Sequence, residues 1–265
     1  MLSILMFTAA LAANAPLSPS SKWSVEYDKD MCVLSRSYGD GRDRVTLALR
    51  PYPMGTRTEI ALMTPAKSMQ VIDGQAEVIL APAAHSTHGT YSRYHLDTLP
   101  GSLSTLILGS DALDGIATSS TISLHLGSKE QHVFAIPGIA AAMRALEVCQ
   151  ADLLRTWGID PAEQTSVITT PGINGRILAL FGPSTYPVSA LKAGEQGLSI
   201  AVATIGTEGT ATACLIVVKS GSKALDDTTC EVLMQHHAHF SPGLDKDGKP
   251  VPAHAVVPVR WILPH

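Results

Sequence analysis

The sequence has 265 residues, of which 16% are charged, and its formal net charge is −4 at pH 7. This balance argues against a nucleic-acid-binding protein, because such proteins present a basic stripe or patch. No charged tail indicates electrostatic anchoring either. The length fits one large or two ordinary domains.

The first residues have the pattern of an export signal. An apolar run over residues 1–13 ends in small residues, and Ala10-Leu11-Ala12 forms an A-x-A cleavage site. We predict a secretory signal peptide over residues 1–15 and a periplasmic mature protein. An uncleaved anchor is the alternative, but the run is shorter than the roughly 20 apolar residues that span a bilayer.

Four cysteines remain after export. An even number in an exported protein indicates disulfides. The absence of C-x-x-C argues against a zinc ribbon or a thioredoxin-type redox site. Three pairings are possible in principle, and the placement of the cysteines on expected elements favours Cys32–Cys149 and Cys214–Cys230.

Residues 22–158 have the pattern of a sheet followed by one helix. Short β-prone runs separated by Pro and Gly predict antiparallel strands, whereas the polar stretch over residues 85–95 is expected to be a loop or an edge. Apolar side chains at helical spacing predict a helix between Pro137-Gly138 and Gly158. Its apolar face consists of Ile139, Met143, Leu146, Cys149, Leu153 and Trp157. We therefore predict an α+β domain of unknown role, an antiparallel sheet with a C-terminal helix.

Residues 159–183 are interrupted by Pro and Gly, and they predict a linker between two domains. The apolar part of this segment, residues 176–181, is expected to dock on one of the domains.

Residues 184–265 have the order strand, turn, strand, helix, loop and strand. Asp226 or Asp227 is predicted to be the N-cap of the helix, because a short carboxylate accepts hydrogen bonds from the free amides of the first turn. The aromatic residue and the Ser-Pro-Gly tripeptide at residues 240–243 are expected to end the helix. The last strand runs over residues 254–263.

Histidines in two places raise the hypothesis of a metal site. One group, in the polar stretch, consists of His85, His88 and His95. The other, late in the C-terminal helix, consists of His236, His237 and His239. Neither group has an H-E-x-x-H spacing. We therefore favour a polar loop for the first group and a favourable interaction with the helix dipole for the second.

Two further motifs are weaker. Ser220 and Lys223 fit the S-x-x-K signature of penicillin-recognising enzymes, but they precede the predicted cap and the companion motifs are absent. Asp245 and Asp247 resemble a fragment of a calcium loop that lacks its bidentate Glu, so we predict a plain Asp-Gly turn. We predict no catalytic residue, no metal and no cofactor.

A series of short motifs follows one another in the C-terminal region: Tyr186-Pro187, Val218-Lys219-Ser220-Gly221, Leu225-Asp226, Phe240-Ser241-Pro242, the Asp-Gly loop and the final strand. In these features the region resembles the C-terminal domain of TonB, the energy transducer of the bacterial envelope. The resemblance implies a ββαβ fold for residues 184–265. The sequence departs from the TonB transducer because no membrane helix and no long Pro-rich rod precede this domain, so we expect no transmission of force from an inner-membrane motor.

The resemblance also implies a binding mode. TonB terminal domains take up a short extended segment of outer-membrane receptors, which adds as a strand to an exposed sheet edge. The last strand is the candidate edge, and Pro258 within it fits an edge better than a central strand. The residues predicted for this peptide-binding edge are His254, Val256, Val257, Val259 and Trp261. The alternative is an edge covered by the N-terminal domain or by self-association.

Together these patterns predict a non-enzymatic periplasmic protein with a peptide-binding module related to TonB-dependent transport. One alternative is an exported hydrolase or metal-dependent enzyme with its site around His85, His88 and His95. Another is a structural stress-resistance protein without a specific ligand.

Overall fold

The computed structural model describes residues 15–27, 31–54, 57–65, 72–95, 101–128, 130–164, 166–172, 179–235 and 240–263. These residues form a nine-stranded antiparallel sheet, a three-stranded antiparallel sheet, a two-stranded ribbon and a few helices. The predicted α+β class is confirmed. Residues 1–14, and with them nearly all of the expected signal peptide, lie outside the described residues. Within the described ranges, no helix has the length and apolar character needed to cross a membrane.

The large sheet occupies the N-terminal half of the chain. Its strands are β1 (Ser24–Tyr27), β2 (Cys32–Tyr38), β3 (Val45–Pro51), β4 (Arg57–Thr64), β5 (Ile72–Ala81), β6 (His85–His95), β7 (Ser102–Gly109), β8 (Thr121–Leu126) and β9 (Glu130–Ala135). Their order in the sheet is β1-β2-β3-β4-β7-β6-β5-β8-β9. Short 3-10 helices occupy Gly41–Asp43, Ser110–Leu113, Ile116–Thr118 and Pro183–Thr185.

Strands β6 and β7 depart from the sequence prediction. The prediction of a loop or edge at residues 85–95 is wrong, because β6 is paired with β5 on one side and with β7 on the other. Tyr91 is its buried side chain, so the polar residues around it lie on more accessible positions. Strand β7 was not predicted, because the small polar residues Ser102 and Ser104 occupy buried positions that usually carry apolar side chains.

The chain before β1 joins the two ends of the large sheet. Leu17 forms a parallel bridge with Phe134 on β9, and Pro19 forms an antiparallel bridge with Tyr38 on β2. The rings of Tyr38 and Phe134 are in contact, with their centroids 4.7 Å apart. The sheet therefore curls into a half-barrel around its core.

Helix α1 (Ile139–Thr156) packs on β1 and β2, and a single turn, α2 (Pro161–Gln164), follows it. The predicted helix and its apolar face are confirmed. Leu146 and Cys149 are completely buried, and Trp157 is almost completely buried. The predicted disulfide is also present, because Cys149 is bonded to Cys32 on β2.

The C-terminal region contains the small sheet and the ribbon. Its elements are α3 (Val188–Ala193), β10 (Gly197–Ile205), β11 (Ala211–Val218), α4 (Lys223–Leu233), β12 (Gly243–Leu244), β13 (Pro250–Val251) and β14 (Ala253–Trp261). The order of the small sheet is β11-β10-β14, and both pairings are antiparallel. Cys214 on β11 is bonded to Cys230 on α4, as predicted.

Helix α4 begins earlier than predicted. Its N-cap is Ser222, whose hydroxyl accepts a hydrogen bond from a first-turn backbone N–H. The prediction of a cap at Asp226 or Asp227 is wrong, because Asp226 lies inside the first turn and is buried. The Asp226 carboxylate accepts hydrogen bonds from Ser199 Oγ at 2.7 Å and from the backbone N–H of Ser220 at 2.9 Å. It therefore ties α4 to β10.

The helix also ends earlier than predicted, at Leu233. Phe240 is buried in the C-terminal core, and its N–H donates to the carbonyl of Gly209 in the β10–β11 turn at 2.7 Å. Gly209 has a positive φ of 77°, and a Cβ there would lie 2.3 Å from the carbonyl oxygen of Phe240, so this turn requires glycine. The predicted Asp-Gly turn is present between β12 and β13, where Asp245 Oδ1 accepts two backbone N–H bonds.

The two regions are in apolar contact. One face of the small sheet is covered by α4, and the other face packs against the N-terminal core through Val202, Val217 and Val256. The segment 166–172 also bridges to the C-terminal region, at residues 169 and 172. The domain boundaries expected from the sequence, with a linker over residues 159–183, stay predictions.

Candidate functional site

Strand β14 lies at an edge of the small sheet. It pairs with β10 along its whole length, from Ala253 opposite Ile205 to Trp261 opposite Gly197. No other strand of the described residues pairs with it. Backbone N–H and C=O groups along its outer edge are therefore available to a partner strand.

Alternate side chains of β14 fix the strand to the core beneath it. These inward residues are Ala253, Ala255, Val257, Val259 and Trp261. The indole N–H of Trp261 donates to the buried hydroxyl of Thr229 on α4 at 3.0 Å. The rings of Tyr186 and Phe181 meet the indole edge-on, at centroid distances of 5.4 and 5.8 Å. These contacts anchor the strand to the C-terminal core through its inward side chains.

The remaining side chains of β14 lie on the opposite face. His254 Nδ1 lies 3.2 Å from Thr204 Oγ1 of the neighbouring strand, and Val256 packs against the N-terminal core. Pro258 and Arg260 are exposed. Of the five residues predicted for the peptide-binding edge, Val257, Val259 and Trp261 are thus core residues, which leaves mainly their backbone for contact with a partner.

A cleft lies between part of β14 and the N-terminal region. Its volume is about 440 Å³ beside the segment from Ala255 to Arg260. The facing wall is formed by Tyr52, Pro53, Met54, Arg57 and Ile107, and Thr170, Pro171, Gly172 and Phe181 complete the lining. A second cavity of about 280 Å³ shares Tyr52, Pro53, Val256, Pro258 and Arg260 with the first. The outer edge of β14 thus opens into a groove with two walls, which we call the β14 cleft.

The charged groups of the β14 cleft are mainly arginines. Arg50 is hydrogen-bonded to Glu59, which is almost completely buried, and Tyr52 donates to the same carboxylate oxygen at 3.4 Å. Arg57 and Arg260 are exposed, and neither forms an ion pair within the described residues. The cleft therefore carries two guanidinium groups without an ion-pair partner in the described part of the chain.

The structure does not bring His85, His88 and His95 together. The ring of His85 contacts the carbonyl of Asp111 at 2.9 Å, and that of His95 contacts the carbonyl of Gly101 at 2.6 Å. No group of three metal-ligand side chains occurs in the part of the chain that the structure describes. The second histidine group, residues 236, 237 and 239, lies outside the described residues.

His88 belongs to a small polar cluster that the sequence did not predict. Glu77 on β5 accepts a hydrogen bond from Ser86 at 2.7 Å and lies 3.2 Å from His125 and 3.5 Å from His88. The hydrogen bond from Ser86, together with the two histidines, lowers the pKa of Glu77. This cluster is a surface interaction between the neighbouring strands β6, β5 and β8, and β7 lies between these strands and β4.

Ser220 does not have the environment of a catalytic nucleophile. Its hydroxyl donates to the carbonyl of Ser222, and the predicted partner Lys223 is exposed and paired with Asp227. The S-x-x-K spacing thus coincides with the capping loop of α4.

Sequence reasoning identified the edge strand but missed the β14 cleft. Tyr52 follows β3 and Arg57 begins β4 in the N-terminal region, nearly 200 residues before β14, and no local pattern links them to it.

Comparisons with known proteins bear on the C-terminal region. No curated protein and no solved structure matches the chain. Residues 183–263 match the family model described as Gram-negative bacterial TonB protein C-terminal. This span includes every element from α3 to β14, and the resemblance stated from the sequence is therefore confirmed for this part of the chain. Residues 183–263 form a TonB C-terminal-like domain.

Proposed function

We propose that this protein is a non-enzymatic, periplasmic binding protein that captures extended peptide segments by strand addition to β14. The segments belong to proteins of TonB-dependent transport in the outer membrane, the receptors included. The N-terminal region supports and flanks the binding strand.

The observation that carries the proposal is the unpaired outer edge of β14. In a TonB C-terminal-like domain, nine residues of extended backbone are paired on one side only among the described residues, and six of them, Ala255 to Arg260, line a cleft of about 440 Å³. Strand addition uses such an edge because each added residue pairs N–H and C=O groups that otherwise bond only to water.

Two further features support a binding role. The inward side chains of β14 are locked in the core, so little conformational entropy is lost from the strand on binding. The histidines on which an enzymatic alternative rested each contact a different backbone carbonyl or carboxylate. The geometry supports a recognition surface better than a reaction centre.

An amide NMR titration of the full-length mature protein tests the proposal. The probes are synthetic peptides that cover the periplasmic N-terminal segments of the TonB-dependent receptors of the host. We expect shifts concentrated on β14 and on the residues that face it across the cleft. Saturable binding without shifts in β14 would contradict strand addition at this edge, and no binding at millimolar peptide would contradict the proposed function.

A pair of variants assigns the binding edge. Pro258→Glu places a carboxylate inside the β14 cleft, where a bound strand would shield it from water, and we expect it to weaken binding at least about tenfold. Ala213→Glu places the same charge at an exposed position of β11, the opposite edge of the same sheet, and should leave binding unchanged. The reverse result would move the site to β11.

A further inference from the structure

We propose that the β14 cleft selects extended segments that carry a carboxylate side chain, and that Arg57 of the N-terminal region and Arg260 of β14 recognise this carboxylate together. The inference rests on the proposed function, because it names the chemical class of ligand for the same edge. It adds a second wall to the site, contributed by the N-terminal region.

The first step is the position of the two arginines. Both line the same cavity, on opposite walls, with Arg57 at the start of β4 and Arg260 near the end of β14. A strand that adds to the outer edge of β14 must run between these walls. Its side chains alternate in direction, so every second one points toward one face of the sheet.

The second step is charge. Arg50 is also in the groove, but Glu59 compensates it. Arg57 and Arg260 are exposed and form no ion pair among the described residues, so both remain free to pair with a ligand. A guanidinium presents a planar fork that matches a carboxylate, and an ion pair shielded by a bound peptide is less screened than one in open solvent.

The third step is what surrounds the two charges. Tyr52, Pro53, Met54 and Ile107 make the facing wall largely apolar, and Val256 and Pro258 continue this character on the other side. An apolar lining with two guanidinium groups in the same cavity fits a segment in which one Asp or Glu is flanked by apolar residues. It does not fit a basic segment, which would place like charges side by side.

Peptide selection on the full-length mature protein provides the test. A library of random heptapeptides displayed on phage is selected in parallel on the wild type and on the variants Arg57→Gln and Arg260→Gln. The control is Arg42→Gln, which removes an exposed arginine outside the cleft. Arg42 precedes β3, whereas Tyr52 follows the other end of the same strand. For the best acidic peptide, its affinity is compared with that of the twin in which glutamine replaces the acid.

We expect the wild type and Arg42→Gln to enrich peptides with an acidic residue, and the acid to improve affinity about fivefold over its glutamine twin. Each of the other two variants should lose this preference while still binding the glutamine twin. The preference should also decline as salt is raised from 50 to about 500 mM, because screening weakens the ion pair.

The outcomes separate the two proposals. The carboxylate selection is overturned if peptides bind β14 without an acidic preference. It is also overturned if the preference survives both Arg57→Gln and Arg260→Gln. Either result leaves strand addition standing. If no peptide is enriched and the concentrated protein dimerises through β14, the occupant is a second copy of the chain, and both proposals are overturned.

Discussion

The edge strands of the two sheets differ in length and in how far they are covered. In the large sheet, Leu17 pairs with β9 and Pro19 with β2, while β1 at the other end is only a short strand of four residues. In the small sheet, β14 is nine residues long and its outer edge faces a groove. Short or covered edges protect a sheet from unwanted pairing, whereas a long open edge invites it. Under the proposed function, this contrast assigns support to the N-terminal region and recognition to the C-terminal region.

The largest expected effect concerns the two disulfides. Cys32–Cys149 closes a loop with a sequence separation of 117, and Cys214–Cys230 one of 16. Loop-closure entropy predicts that the double variant Cys32→Ala/Cys149→Ala loses about 4–5 kcal/mol of unfolding free energy, and Cys214→Ala/Cys230→Ala about 3 kcal/mol. Urea unfolding of both variants measures the difference. A larger loss in the C-terminal variant would contradict a support role for the N-terminal bridge.

The second effect tests how β14 is held. Trp261→Ala removes the buried indole and its bond to Thr229, and we expect a loss of about 3–5 kcal/mol. Ile262→Ala changes the adjacent residue, which is 60% exposed, and should alter the unfolding free energy by no more than about 0.5 kcal/mol. Thermal unfolding of both variants, followed by far-UV circular dichroism, compares their stabilities without using tryptophan fluorescence as the signal. Similar losses in the two variants would show that β14 is not anchored through its inward side chains.

The third effect separates two neighbouring aspartates. Asp226→Ala leaves Ser199 and the Ser220 N–H without their acceptor in a buried site, so we expect a loss of about 2 kcal/mol. Asp227→Ala breaks an exposed pair with Lys223 and should cost less than about 0.5 kcal/mol. Chemical denaturation decides between them, and equal costs would mean that Asp226 does not tie α4 to β10.

The smallest effect is a pH dependence of the large sheet. Burial raises the pKa of Tyr38 to about 12, against the small opposing effect of Arg36, while the unfolded chain titrates near 10. The folded state therefore holds this proton more tightly, and its contribution to stability is complete below pH 10 and lost as pH rises toward 12. At pH 11 the wild type should have lost about 1.4 kcal/mol that Tyr38→Phe does not lose.

Unfolding free energies of the wild type and Tyr38→Phe at pH 8 and pH 11 provide this measurement. At pH 8 the variant should be the less stable one, because it lacks the hydrogen bond from the Tyr38 hydroxyl to the Ala135 carbonyl. The gap should close or reverse at pH 11. A constant gap would mean that Tyr38 does not titrate differently in the folded and unfolded states.

Elements with a strong local pattern could be predicted from the sequence. The apolar stripe of α1, the glycine-bounded turn before β11 and the even alternation of β14 each appear within a short window. Both disulfides could be predicted because each joins elements of one region. The open edge was available only through the family resemblance.

The parts that failed depend on contacts distant in sequence. Strand β6 is polar because it carries clusters such as Ser86 with Glu77, which form only once β5 lies beside it. Asp226 is a residue type that often caps helices. Its carboxylate instead accepts a hydrogen bond from Ser199, which is distant in the chain, and so ties α4 to β10. The β14 cleft needs both regions to be docked, so no window of sequence contains it.

Hydrogen exchange of the full-length mature protein, with and without a selected peptide at saturation, tests the central claim most directly. Amides of β14 point alternately toward β10 and toward the cleft, whereas those of β9 are already covered on both sides near Leu17. We predict that the peptide slows exchange in the segment 253–261 and leaves residues 130–135 unchanged. Unchanged exchange in 253–261 at saturating peptide would show that β14 is not the binding edge.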